Sequence, residues 1–293
     1  MKVISGIPAS YGIAIGPAFV FENPELVIVT TAIDDPDAEW QRFVAAREET
    51  FQQLDEAYQV TKEDCGEEAA EIFNAQKLML DDPELVNMVR SRVDSELINI
   101  EAALKEVAES YASQLEAIED EYLSARALDI RDVSSRCLRN LLGIVDSPAA
   151  GLSSPSIIVA EDLTPSDTVL LDKDNVLGFC TAKGGSTSHT AILARGLGIP
   201  AVVGAGEEIT GIQPDDSLVV DGDTGEVIIN PGEEELEEFR RRQEKFLEVQ
   251  AQAEAITHQP AITTDGHQVE VVANIGSEEG IEPALEAGAE GVG

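Results

Sequence analysis

The sequence predicts an α/β domain interrupted by an all-α bundle, followed by a linker helix and the opening of a β/α barrel. Three observations carry this. Short runs rich in Gly, Pro and β-branched residues occupy positions 1–21 and return after Ser147-Pro148. Between them, from Asp34 to Leu142, apolar residues recur at helical spacing. Beyond Pro231, a highly charged helical stretch leads into strand, helix and strand again.

Taken in order, the opening MKVISGIPASYGIAIGPA reads as short strands. No long apolar run follows its lysine, and no later segment approaches the roughly 18 uninterrupted apolar residues of a membrane span, so a cytoplasmic protein is expected. In the helical block, Trp40, Phe43, Val44, Phe51, Leu54 and Tyr58 form one periodic set. Ile100, Leu104, Val107, Tyr111, Leu115 and Ile118 form a second, and Leu123, Ile130, Val133, Cys137 and Leu141 a third. Breaks at Cys65-Gly66, Asp81-Asp82-Pro83 and Asp94-Ser95 join these helices into an antiparallel bundle.

Strand texture then resumes at SIIVA (156–160), VLGFCTA (176–182), AVVG (201–204), LVVDGD (218–223) and EVIIN (226–230). Thr164 is placed as a helix cap before Pro165, with Asp167 three residues on. Similar strands on both sides of the helices argue for one α/β domain, residues 1–21 and 148–231, with a bundle at 22–147 inserted in it. Residues 232–258 lack a broad apolar face and read as a linker helix. Residues 259–293 read as the first strand, first helix and start of the second strand of a (β/α)8 barrel. Such a piece cannot bury a core alone, so the chain is expected to be a truncated fragment.

Composition narrows the function. The 57 Asp and Glu against 19 Lys and Arg give a net charge of −38, which disfavours nucleic acid and anionic membranes as partners. The acidity runs the whole length, as in a surface adapted to high salt, where screening removes self-repulsion; a halophilic source is expected. An acidic face that recruits a basic partner is compatible with this. Cys65, Cys137 and Cys180 are odd in number and far apart, which fits buried thiols rather than a disulfide framework or a zinc site.

The stretch GGSTSHTAILAR, 184–195, carries the chemistry. Gly184 and Gly185 allow positive φ or close backbone approach. Ser186, Thr187 and Ser188 supply hydroxyls and cap a helix whose first turn holds His189, one of three histidines in the chain. An anion there meets free backbone N–H groups and the positive end of the helix. A satisfied structural histidine is the bland alternative. Metal ligation is disfavoured because the nearest acidic residues in sequence are Asp174 and Glu207. No G-x-S-x-G elbow and no Walker loop is present.

GGSTSHTAILARGLGIPAVVG closely resembles the phosphohistidine motif of the phosphoenolpyruvate-utilising enzymes, among them Enzyme I of the sugar phosphotransferase system, pyruvate phosphate dikinase and phosphoenolpyruvate synthase. The order of the other segments resembles the Enzyme I branch: ISGIPASYGIAIGPA, EEAAEIFNAQKLMLDDPEL, EYLSARALDIRDVSSRCLRNLLG and DLTPSDT before the histidine, then DGHQVEVVANIGS and GAEGVG. The resemblance implies a swivelling phosphohistidine domain with His189 phosphorylated on Nε2, its other ring nitrogen hydrogen-bonded. It implies that Thr168 hydrogen-bonds this histidine and that Arg126, with Arg131 a weaker match, lies near the phosphoryl group. Surface ion pairing is the alternative for both arginines.

The resemblance further implies that the histidine phosphocarrier protein HPr docks around Glu67, Glu68, Glu71, Met79, Asp82, Glu84, Leu85, Leu115 and Leu123. Ordinary bundle core for the leucines and a solvated surface for the acids is the competing reading. Phosphoenolpyruvate and Mg2+ would bind in the remainder of the barrel, through which the intact protein would also dimerise, and no metal is expected in this chain. A dikinase-like relative, or a regulatory relative without turnover, remains the alternative.

Overall fold

The computed structural model describes residues 2–22, 26–118, 121–144, 152–169, 171–275 and 280–293, with side chains throughout except at 68, 121–125, 254 and 283. The chain divides into two compact units, Met1–Pro231 and Gly232–Gly293.

In the first unit, β1 (Lys2–Ser5), β2 (Ile7–Ser10) and β3 (Ile13–Val20) precede the helices; β4 (Ser156–Ala160), β5 (Val176–Thr181), β6 (Ala201–Val203), β7 (Ser217–Asp221) and β8 (Glu226–Ile229) follow them. They form one sheet in the order β1-β8-β7-β3-β4-β5-β6-β2. Pairing is parallel from β3 to β6 and antiparallel elsewhere. β1 and β2 are separated by one residue yet lie at opposite ends of this order, so the sheet wraps round on itself at Gly6. A Cβ there would stand 2.7 Å from Val202 Cγ1 and 2.8 Å from the Val203 carbonyl oxygen, which is why the corner is glycine.

Period-two alternation fills both faces of the sheet. Ile157 and Val159 join Ile4, Val202, Leu218, Val220 and Val227 in one core cluster. Ile158 and Ala160 join Phe179, Val203 and the apolar side of α7 (His189–Leu197) in another. Cys137 and Cys180 are buried and their thiols are pushed up to about 12 by desolvation, while Cys65 is half-buried; all three are free.

Five helices form the inserted block: α1 (Pro36–Cys65), α2 (Glu67–Leu80), α3 (Pro83–Glu96), α4 (Ile100–Glu116) and α5 (Glu121–Leu142). Asp35 and Asp82 cap α1 and α3, each carboxylate accepting two first-turn N–H bonds ahead of a proline at the first helical position. The break anticipated at Asp94-Ser95 falls two residues later, where Leu97 adopts φ 51° and closes α3. The core is Phe43, Leu54, Phe73, Leu80, Leu85, Val89, Leu104, Val107 and Val133. Residues 26–31 carry no regular structure; Leu26 and Ile28 pack on this core, while Val27 and Val29 face outward.

The second unit holds α8 (Glu233–Ile256), an antiparallel hairpin of β9 (Ala261–Ile262) and β10 (Gln268–Val269), and a β-α-β unit. In the latter, β11 (Val272–Ala273) and β12 (Gly291–Val292) pair in parallel on either side of α9 (Ile281–Glu286).

Candidate functional site

The site is assembled where α7 meets the short α6 (Pro165–Val169). Ser188 caps α7, its hydroxyl accepting the Ala191 N–H at 3.4 Å, so His189 is the first residue of the helix. Gly184 has φ +95° and Ser188 packs against it, whereas Gly185 needs no special conformation. Ser186 and Thr187 are exposed on the same turn. At the other end Gly198 closes the helix with φ +65°, and Arg195 Nη1 donates to the Ala9 carbonyl at 3.0 Å, tying α7 to β2.

α6 is held by the expected capping residues. Asp167 Oδ2 accepts from the Thr164 backbone N–H at 3.0 Å and from its hydroxyl at 2.8 Å. This turn presents buried Thr168, whose Oγ1 lies 2.9 Å from His189 Nε2 and 2.9 Å from the Pro165 carbonyl oxygen. A hydroxyl has one proton. If Thr168 donates it to Pro165, it accepts from a protonated Nε2; if it donates to Nε2, it covers that lone pair. Either way the Thr168 hydroxyl engages Nε2. Burial pushes the imidazole down to about 4, with Asp132 opposing, so it is neutral at neutral pH.

The arginines are engaged elsewhere. Arg126 Nη1 pairs with Asp129 Oδ2 at 2.8 Å along α5. Arg131 is gripped by Glu109, at 2.7 and 3.0 Å, and by Glu116 on α4, so it fastens α4 to α5. Of the anticipated docking residues, Glu67 and Glu71 flank the Tyr58 hydroxyl, Asp82 is the α3 cap, Glu84 is exposed in its first turn, and Met79 and Leu115 are half-buried. Leu85 is a correction: at 2% exposure it belongs to the bundle core and offers no surface to a partner. The side chains of Glu68 and Leu123 lie outside the described residues. The sequence reading missed Leu78, 75% exposed on α2, whose position among helical apolar residues gave no sign of which side it faced. It also missed Asp132, Gln76 and Arg136, which join α6 to the bundle. Among the described residues no group of three or more Asp, Glu, His or Cys is arranged to hold a metal.

A wrapped sheet carrying a histidine at a capped helix start, beside a helical insertion, defines the phosphoenolpyruvate-utilising enzymes, and the chain belongs to that family. It matches the N-terminal part of the family over residues 5–126, its mobile domain over 152–225 and its PEP-binding domain over 250–293. Within the family the similarity is to Enzyme I. The NMR solution structure of Enzyme I (nEIt) superposes with a TM-score of 0.66 at 40% identity, covering 83% of this chain and 99% of that one. Phosphoenolpyruvate-protein phosphotransferases of Bacillus sp. (strain S) and Bacillus subtilis (strain 168) are 43% and 40% identical over the whole chain. The chain spans about half the length of these curated relatives, 50% and 51%.

Proposed function

We propose that this chain is the phosphohistidine half of an Enzyme I, relaying a phosphoryl group from phosphoenolpyruvate to HPr through Nε2 of His189. The phosphorus–oxygen bond of phosphoenolpyruvate breaks as a phosphorus–nitrogen bond forms, and enolpyruvate leaves with the electron pair. The group then passes to a histidine of HPr, one phosphorus–nitrogen bond replacing another. The observation that carries this is a neutral imidazole at the start of α7, with Nε2 directed at a single hydroxyl. Phosphoryl transfer asks mainly for positioning and charge stabilisation, and a helix start supplies N–H groups for the phosphoryl oxygens.

On this reading residues 1–21 and 148–231 form the swivelling domain and 22–147 the HPr-docking bundle. Residues 232–258 link them to the barrel that begins at 259 and that would supply phosphoenolpyruvate, magnesium and dimer contacts. Arg126 exchanges Asp129 for the phosphoryl group when HPr arrives. The protein works in the cytoplasm, and its acidity suits concentrated salt.

The test is label transfer with residues 1–293 at the salt concentration of the source. Phosphorylated HPr labels His189 with an acid-labile, base-stable phosphate that fresh HPr removes, and His189→Ala abolishes it. Phosphoenolpyruvate with magnesium alone leaves the chain unlabelled. Label on Ser188 or His258, or none on a folded chain given cognate phosphorylated HPr, overturns the proposal.

A further inference from the structure

α6 is five residues long and starts at Pro165, which has no N–H; the Asp167 and Thr168 N–H groups turn back to the Thr164 carbonyl at 3.1 and 3.2 Å, so the Ser166 N–H is the one that needs a partner from outside the helix. Yet it must hold the Thr168 hydroxyl at 2.9 Å from His189. The restraint comes from the inserted block, 34 residues away in sequence. Asp132, in the middle of α5 and 7% exposed, accepts the Ser166 N–H at 3.2 Å and the Gln76 side-chain N–H from α2 at 2.8 Å, both on Oδ2. One turn further along α5, Arg136 Nε donates to Ser166 Oγ at 3.1 Å. Arg136 is the positive charge that faces Asp132, Arg139 faces Asp167 in the same seam, and Asp129 and Asp167 are the like charges nearby.

We propose that Asp132 is a positioning residue for His189: by clamping α6 to the bundle through Ser166, it keeps the Thr168 hydroxyl on Nε2 and makes that nitrogen available only when the clamp opens. The reactivity of the histidine is thereby tied to the contact between the two parts of the first unit, rather than to the histidine loop alone. This inference rests on His189 being the reacting group, but its test uses no phosphoryl transfer, so the two fail separately.

Two measurements decide it. The first is amide hydrogen exchange of Ser166 in the wild-type chain. A second-position helix N–H is normally open to water, so its protection here comes from Asp132, and slow exchange is expected. Exchange at the rate of an unprotected amide overturns the clamp, whatever the variants do. The second is carbethoxylation by diethyl pyrocarbonate, read by mass spectrometry, with exposed His258 and His267 as internal references. His189 reacts more slowly than both in the wild type. Asp132→Ala speeds it about tenfold, the equivalent of one charge-assisted hydrogen bond, and leaves the references unchanged. Asp132→Asn stays within about threefold of wild type, because its amide oxygen still accepts the Ser166 and Gln76 N–H groups that Oδ2 accepts in the wild type. A natively helical Asp132→Ala chain with His189 as slow as before, or an Asn variant as fast as the Ala variant, rejects the proposal.

Discussion

His189 holds its proton loosely, and this has a measurable sign. The unfolded imidazole titrates near 6.5 and the folded one at about 4. Between these values the unfolded chain binds more protons, so the contribution to stability is complete above pH 6.5 and disappears as pH falls towards 4. Its size is about 2 kcal/mol, reduced from the full shift because the ring keeps an exposed edge. Asp129, Asp162 and Asp167 are raised by burial and act in the opposite direction, so the comparison to make is wild type against His189→Gln across that window. A difference that stays flat with pH contradicts the assignment. At this scale the histidine at the helix start, its cap and its hydroxyl partner were legible, because His189, Ser188 and Thr168 sit in long local patterns. The clamp was not. Asp132 and Gln76 are 56 positions apart, and a polar pair across a seam leaves no periodic trace; the only hint is Asp129, Asp132 and Arg136 recurring at three and four residues along α5.

Among elements, α2 and α3 separate core from surface most sharply. Leu85→Asp places a carboxylate in the bundle core beside Phe73 and Val89 and is expected to cost at least about 3 kcal/mol, read as a drop in melting temperature. Leu78→Asp, on the exposed face, is expected to leave the melting temperature within a few degrees while weakening HPr binding in titration calorimetry. Normal HPr binding by the Leu78 variant places the docking face elsewhere. Helix boundaries were readable because Asp-Pro pairs announce α1 and α3 and glycine ends α1. The side each leucine faces was not, since in an antiparallel bundle a helix with two apolar stripes can turn either one inward. Strands β4 to β8 were legible from their β-branched runs, but their order in the sheet was not, because pairing partners lie far apart in sequence.

For the whole molecule, the charge of −38 makes ionic strength the decisive variable. In about 10 mM salt the screening length is about 30 Å, so carboxylates on all sides repel one another; in about 1 M KCl it shrinks to about 3 Å. The melting temperature is expected to rise by several degrees between these conditions, and a salt-independent value assigns the acidity to partner recognition alone. The wrapped sheet has a different bearing, on how the chain is made. Lys2 pairs with Ile229 and Ile7 with Val203, so β1 and β2 find their neighbours only after about two hundred further residues have left the ribosome. α1 to α5 are built largely from contacts between near neighbours in sequence and are free to fold during that interval. β1 and β2 therefore wait with open strand edges beside an already folded bundle, which makes them the segments most in need of chaperone cover until β8 and β6 emerge.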